Sequence, residues 1–245
     1  MNLVLDIGNT RSKVFLFAGE EIRERSVHRE LSSSLLKDLL EGHPQVRNAI
    51  LTATGPIPGG VLPLLEEIPG LFLHLGPDTT LPIRNLYRSQ ETLGYDRIAG
   101  VVEAHARFPQ NDVLVIDAGT ALTFDLVTAT GDFPGGNISP GLQMRFRALA
   151  GQTRSLPLVT PEGEYPEVGT TTEEAIRAGV VQGMLTEIDG TIDRFAGSRH
   201  DLRVILTGGD AFFFDKKLKN SIFVLPDLTA YGLNRILEFN AQETT

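Results

Sequence analysis

The chain contains no cysteine. That excludes disulfides and thiolate chemistry and fits a reducing compartment. No apolar run approaches the ~18 residues of a membrane span. The first residues lack the basic stretch and small-residue cleavage site of a secretory signal, since an apolar strand pattern starts at Leu3. A cytoplasmic location without membrane association is therefore expected. Positive charge is also in deficit: 22 Lys and Arg stand against 31 Asp and Glu, for a net charge of −9. No basic footprint for nucleic acid exists. An anionic ligand must then be held by local amides, helix N-termini or a bound cation, because the overall field repels it. The histidines (His28, His43, His74, His105, His200) are scattered without metal-ligand spacing and read as ordinary surface or core residues. There is no G-x-x-x-x-G-K-[ST], no G-x-G-x-x-G and no G-x-S-x-G, so P-loop, Rossmann and serine-hydrolase readings fail.

What is present is a repeated phrase. "LVLDIGNTRSKVFLF" sets Asp6 at the end of an apolar strand, before a glycine turn and a second strand. "VLVIDAGTALTFDLV" does the same with Asp117. The separation is far longer than a solenoid repeat. It predicts a duplicated α/β domain: two halves, 1–110 and 111–245, each a sheet flanked by helices, with a cleft between. The chain of 245 residues, 41% of them hydrophobic, can bury a sizeable core.

Periodicity fills in the rest. "ELSSSLLKDLLE" reads as an amphipathic helix, and "VLPLLEEI" as a short one despite Pro63. "NAILTAT" and "LFLHL" read as strands. "GPDTTLPIRNLYRSQETLGYDR" has no period, and such segments often carry function. A helix follows from about Asp96 to Phe108. "GDFPGGNISPG" reads as a glycine-rich connection, with Pro140 in the first turn of a helix "GLQMRFRALA". "TRSLPLVTPEGEYP" reads as an exposed loop. A long helix is expected from about Thr172 to Phe195, where Ile176, Val180, Met184, Ile188 and Ile192 form a core or subunit-contact stripe. Then come a strand and glycine turn, "RVILTGGDA", a strand "IFVLP" and a closing helix.

A carboxylate at a strand end beside glycines suits a phosphate–metal site. Glycine lets backbone approach an anion, and free amides donate to it. Thr10 and Ser12 add hydroxyls and Lys13 adds charge. The carboxylate would itself repel phosphate, so the design requires a cation between them, such as Mg²⁺. One copy alone reads more simply as a hairpin turn; two copies favour a pair of phosphate turns. Gly208-Gly209 offers bare backbone for a nucleobase or ribose, although it is also an ordinary strand-to-helix turn. At "LGYDRIAGVVEA", Asp96 reads equally as a helix cap or as the base that orients a substrate hydroxyl, with Arg97 holding an anionic group. Thr171 and Glu174 form a capping box, which leaves Thr172 free to face a ligand.

Together, "DIGNTRSK", "GYDR", "DAGTALT", "GGNISPGLQMRFRALA", "TTEEAIRAG" and "LTGGDA" resemble the type III pantothenate kinases of the actin–Hsp70–sugar-kinase superfamily, over essentially the whole chain. Two positions depart from the family pattern: Tyr95 stands where a small residue is usual, and Thr171 where Asn is frequent. The resemblance implies duplicated ribonuclease H-like, actin-like ATPase halves. It implies ATP-dependent phosphorylation of pantothenate at its terminal hydroxyl, the first step of coenzyme A biosynthesis. By motif, Asp96 is the proton acceptor, and Tyr87, Gly94, Tyr95, Asp96, Arg97 and Thr172 bind pantothenate. Asp6, Ile7, Gly8, Asn9, Thr10, Arg11, Ser12, Lys13 and Thr120 bind ATP. Asp6 lies near Mg²⁺, and Asp117 ligates a monovalent cation, K⁺ or NH₄⁺. A homodimer sharing its active site across the interface is implied as well. Rival readings are a sugar or polyol kinase or an exopolyphosphatase of the same fold, a non-catalytic transcriptional accessory protein, and an actin-like filament protein.

Overall fold

The computed structural model describes residues 1–8 and 11–243. The chain divides into two compact units. The first is Met1–Glu103 together with Leu228–Thr245, and the second is Ala104–Asp227.

The first unit is built on a five-stranded sheet. Its strands are β1 (Asn2–Ile7), β2 (Ser12–Ala18), β3 (Glu21–His28), β4 (Asn48–Ala53) and β5 (Phe72–His74), in the order β3-β2-β1-β4-β5. β1 lies between antiparallel β2 and parallel β4, and its apolar residues are buried. Near-continuous hydrophobic sequence is what a strand covered on both faces requires. β3 escaped the sequence reading. Six of its eight residues carry charge or polar groups, and it forms an edge. Charged side chains there discourage pairing with another chain.

Two helices cover this sheet early in the chain. α1 (Ser33–Gly42) starts where Ser32 Oγ accepts from the Leu35 amide at 3.2 Å, and its Leu36 is fully buried. α2 (Val61–Glu66) tolerates Pro63 in its first turn, where no intrahelical amide bond is lost. α3 (Tyr95–Arg107) follows the irregular stretch, which contains only a short 3₁₀ turn at Gln90–Thr92 and a two-residue strand at Arg84–Asn85.

The second unit repeats the plan. β6 (Val113–Ala118), β7 (Ala121–Val127), β8 (Gly135–Pro140), β9 (Arg203–Thr207) and β10 (Phe223–Val224) form a sheet in the order β8-β7-β6-β9-β10. Taken in chain order within each unit, the two sheets have the same strand order and the same pattern of antiparallel and parallel neighbours about the central strand. The expected duplication is therefore real. The "GGNISP" stretch is not a loop but β8, paired antiparallel with β7. Gly136 is required there, because a Cβ would collide with the Phe124 carbonyl and Asp125 Oδ1. Pro140 ends that strand, and Gly141 caps α4 (Leu142–Gln152), so Pro140 lies outside the helix rather than in its first turn.

α5 (Thr172–Ala196) buries Ile176, Val180, Met184, Ile188 and Ile192 in the core of the second unit. Its four-residue stripe is thus a core stripe. Two further helices complete the chain, α6 (Ala211–Phe214) and α7 (Leu228–Glu243). Among the described residues no helix is long and apolar enough to cross a membrane.

α7 departs from the expected division at 110/111, because it belongs to the first unit. Asn2 Nδ2 donates to Asn234 Oδ1 at 2.9 Å, and Asn234 Nδ2 donates to the Gly19 carbonyl at 3.0 Å. Arg235 Nε meets the buried Glu103 carboxylate at 2.9 Å. Gly232 lies against the Ala99 carbonyl of α3, where a Cβ has no room. Gly232→Ala is expected to lower stability by about 1–3 kcal/mol through overpacking, read as a lower midpoint in chemical denaturation; an unchanged midpoint would show that α3 and α7 do not pack this way.

Candidate active site

In the first unit the site begins at the end of β1. Antiparallel pairing sets Asp6 opposite Lys13, and parallel pairing sets it beside Thr52. Lys13 Nζ lies 3.9 Å from Asp6 Oδ2. The Asp6 side chain is only 17% exposed. Burial pushes its carboxyl above the ordinary carboxylate value; the Lys13 ammonium pulls it back, and the charge of Asp96 pushes it up further. Residues 90 positions apart in sequence therefore share one electrostatic environment. Thr52 is almost fully buried, and its hydroxyl has no hydrogen-bond partner among the described residues. A half-compensated carboxylate beside an orphaned hydroxyl fits a hard cation such as Mg²⁺ with its water shell. Thr52 was missed by sequence reading, since nothing marks it within an apolar strand.

The turn after β1 closes with the Gly8 amide donating to the Arg11 carbonyl at 3.1 Å. Asn9 and Thr10 lie outside the described residues. Ile7, Gly8 and Ser12 face a recess of ≈ 980 Å³, which His28, Arg29 and Gly55 also line. Ser12 is buried, whereas Arg11 is exposed.

Asp96 occupies the second position of α3. Its Oδ1 accepts from the Arg97 amide at 2.9 Å, while the Arg97 and Ile98 amides both reach the Gly94 carbonyl. The carboxylate thus satisfies a helix-end donor, as a cap does, and still retains acceptor capacity for a ligand. A Cβ on Gly94 would crowd Asp96 Oδ1, so a side chain there would displace the carboxylate. Arg97 is 9% exposed, and its guanidinium carbon sits 5.3 Å from the centre of the Tyr87 ring. Such stacking holds a buried cation in place. Burial raises the Tyr95 hydroxyl above its ordinary value, with Asp78 adding to the effect. Gly94, Tyr95, Asp96, Arg97 and Tyr87 thus lie together at the start of α3.

In the second unit Asp117 is the penultimate residue of β6, opposite Thr123 of β7 and Thr207 of β9. Two glycines enclose its carboxylate. A Cβ on Gly119 would come within 3.0 Å of Oδ1, and one on Gly208 would collide with Oδ1 and with the Ala118 carbonyl group. Gly208 also has φ +96°, a conformation that side chains resist. The Asp210 amide donates to the Ala118 carbonyl at 2.9 Å and fixes this turn against β6. Gly141 packs on the Gly119 and Thr120 carbonyls, leaving Thr120 exposed at the hairpin tip. The close backbone on this side leaves the Asp117 carboxylate room for a small cation rather than for a side chain. Among the described residues no three His, Cys, Asp or Glu side chains gather as a metal cluster. A divalent ion at either aspartate would therefore take its other ligands from water and phosphate oxygens.

Gly208 is thus committed to the protein, whereas Gly209 is exposed with nothing near its missing side chain. Asp125, 1% exposed, accepts from the Thr123 hydroxyl at 3.2 Å. At α5 the capping box is present in both directions: Thr171 Oγ1 accepts from the Glu174 amide at 3.2 Å, and Glu174 accepts from the Thr171 amide at 3.3 Å. Thr172 is exposed on a groove of ≈ 720 Å³ that Pro140, Arg145, Leu149, Ile176 and Val180 also line. Arg145 is ion-paired with Glu187 there.

Asp6→Asn tests the charge strain. Between the ordinary carboxylate value of 3.8 and the raised folded value, the native state holds more protons, so stability falls as pH rises. Above both values the ionised Asp6 is a cost. The ligand-free variant should therefore melt higher than wild type at neutral pH, by about 2–4 °C for each kcal/mol relieved, with the gain shrinking toward acid. A lower melting point at neutral pH would show that Asp6 is a net stabilising partner of Lys13.

The profile of the type III pantothenate kinases matches residues 2–194. A type III pantothenate kinase of Bacteroides fragilis strain YCH46 is 47% identical over 240 residues, covering 98% of each chain. Among solved structures, a Baf family transcriptional-activator candidate from Campylobacter jejuni superposes with TM-score 0.61 at 18% identity, over 98% of this chain and 99% of that one. The activator of 2-hydroxyisocaproyl-CoA dehydratase from Clostridium difficile, solved with bound ADPNP, gives 0.56 at 14% identity over 99% and 96%. The fold is that of the actin-like ATPases and sugar kinases. With a family profile spanning most of the chain and full-length relatives at this identity, the chain belongs to the type III pantothenate kinase family.

Proposed function

We propose that the chain carries out its family's reaction, transfer of the γ-phosphoryl group of ATP to the terminal hydroxyl of pantothenate, with Asp96 as the proton acceptor. The observation that carries this assignment is the match to the type III pantothenate kinases over most of the chain, beside which the charge of Asp96 is close enough to Asp6 to raise its carboxyl. It supports an acceptor carboxylate and a metal-facing carboxylate working on one reaction centre. The substrate oxygen attacks the γ-phosphorus, its O–H proton passes to Asp96, and the bond to the β-phosphate oxygen breaks to leave ADP. Phosphoryl transfer of this kind depends on positioning and charge neutralisation more than on a strong base. The second carboxylate oxygen of Asp96 can orient the hydroxyl while Oδ1 stays anchored on the Arg97 amide.

Arg97, braced by Tyr87, would hold the carboxylate of pantothenate, and Gly94 and Tyr95 would line the same pocket. The phosphates would lie over Gly8, Ser12 and Lys13 from the first turn, with Ile7, Asn9, Thr10 and Arg11 completing it, and over Thr120 from the second. Mg²⁺, when bound, neutralises phosphate charge beside Asp6. The monovalent cation, K⁺ or NH₄⁺, would be held by Asp117. Thr172 would reach the pantothenate of a partner subunit, and the groove along α5 would be covered in a homodimer. Use of ATP as donor supports a cytoplasmic location.

Purified protein with ATP, Mg²⁺, K⁺ and pantothenate should yield a product heavier than pantothenate by one phosphoryl group, detected by mass spectrometry. No such product, with sugars phosphorylated instead, would replace pantothenate as the substrate. Asp96→Asn should lose roughly 10²–10⁴ in turnover while ADP affinity persists; wild-type turnover would reduce Asp96 to a helix cap. Turnover should also depend on K⁺ or NH₄⁺, and equal rates in sodium-only buffer would remove the cation role of Asp117.

A further inference from the structure

α6 follows the Gly208-Gly209 turn, and after Ala211 it consists of three consecutive phenylalanines, Phe212, Phe213 and Phe214. Two of them are absorbed by the protein. Phe214 is fully buried in the second unit's core, and Phe213 packs against that core, edge to face with Phe214 at 5.1 Å between ring centres. Lys217 Nζ sits 4.4 Å from the Phe213 ring and covers it further. Phe212 is 66% exposed. A single exposed phenylalanine is ordinary in itself; its position is what carries weight. It lies three residues after Gly209, which has open space where a side chain would be. The turn that carries both residues is locked to the second phosphate hairpin, through Gly208 against Asp117 and the Asp210 amide on the Ala118 carbonyl. β9 runs parallel to β6 at the next strand position, with Thr207 level with Asp117. The turn therefore rises one strand spacing, about 4.8 Å, from the carboxylate that faces the phosphates.

We propose that Phe212 is the stacking platform for the purine base of the nucleotide, with the bare backbone of Gly209 leaving room for the ribose beside it. This deepens the reading of the chain as an ATP-dependent kinase and rests on it. The chemistry fits the rest of the site. An acidic protein gains little from long-range attraction to ATP, so the base is where uncharged contact area can add affinity. An aromatic face serves any base, because every base has a π-face. The contact therefore tightens nucleotide binding without selecting strongly between adenine and guanine.

Calorimetric titration in Mg²⁺ and K⁺ buffer, with no pantothenate present, tests this with two probes, ADP and inorganic tripolyphosphate. Phe212→Ala should weaken ADP by about tenfold and leave tripolyphosphate affinity as in wild type, and Phe212→Trp should restore ADP binding. Circular dichroism and melting should be unchanged in both variants, since Phe212 contributes little to the core. The proposal is overturned if Phe212→Ala binds ADP as wild type does. It is overturned equally if both probes weaken together, or if the wild type binds tripolyphosphate but not ADP. Because no acceptor takes part, a failure of pantothenate turnover would count against the substrate assignment and leave this result standing.

Discussion

The negative charge of Asp6, buried and only partly answered by Lys13, is the constraint around which the first unit's site is built. A carboxylate in that position raises its own proton affinity and is pushed further by Asp96. Such an arrangement lowers the stability of the ligand-free protein, and proteins retain it where a ligand relieves it. The neighbouring hydroxyl of Thr52, on the adjacent strand, shows the same incompleteness, buried without a hydrogen-bond partner among the described residues. A hard cation with its phosphate oxygens and water would complete both. The acidity of the whole chain and the local demand for a cation are then one design, in which affinity for an anion is conditional on the metal that accompanies it.

The duplicated sheet explains why both aspartates fall where they do. In each unit the central strand has an antiparallel partner on one side and a parallel partner on the other. The residue at its carboxyl end is thereby surrounded by a hairpin turn and by the exit of the parallel strand. Ligands of open α/β sheets collect at the carboxyl ends of strands. The halves have specialised within that frame. Asp6 is flanked by lysine and a free hydroxyl, whereas Asp117 is wrapped by the backbone of Gly119 and Gly208. The same residue type in the same place thus meets two different environments.

Much of this was legible because it is local. Two aspartate–glycine turns between apolar strands, the capping box at Thr171, and the four-residue stripe of α5 are patterns that neighbouring residues specify among themselves. The failures have one physical cause, dependence on distant partners. β8 reads as a loop because Gly135, Gly136 and Pro140 have no strand preference of their own; β7 supplies the pairing, and the Asp125 carboxylate and the Phe124 carbonyl take the space a side chain would need. β3 is masked by charges that belong on an edge. Thr52 is silent in sequence because its significance comes from Asp6, its neighbour on the next strand. The division into units was misplaced at the end of the chain because an amphipathic helix does not reveal which of two sheets it will cover.

The placement of α7 bears on how the protein comes into being. The first unit is finished by the last helix of the chain, through Asn234 on Asn2 and Arg235 on Glu103, while Ala104–Asp227 forms a continuous segment in between. During synthesis the amino-terminal sheet must wait for α7 until Ala104–Asp227 has been made, whereas that intervening segment already holds all its own residues. The order of emergence from the ribosome and the order of completion are thus reversed, and an incomplete chain leaves the half bearing Asp96 unfinished.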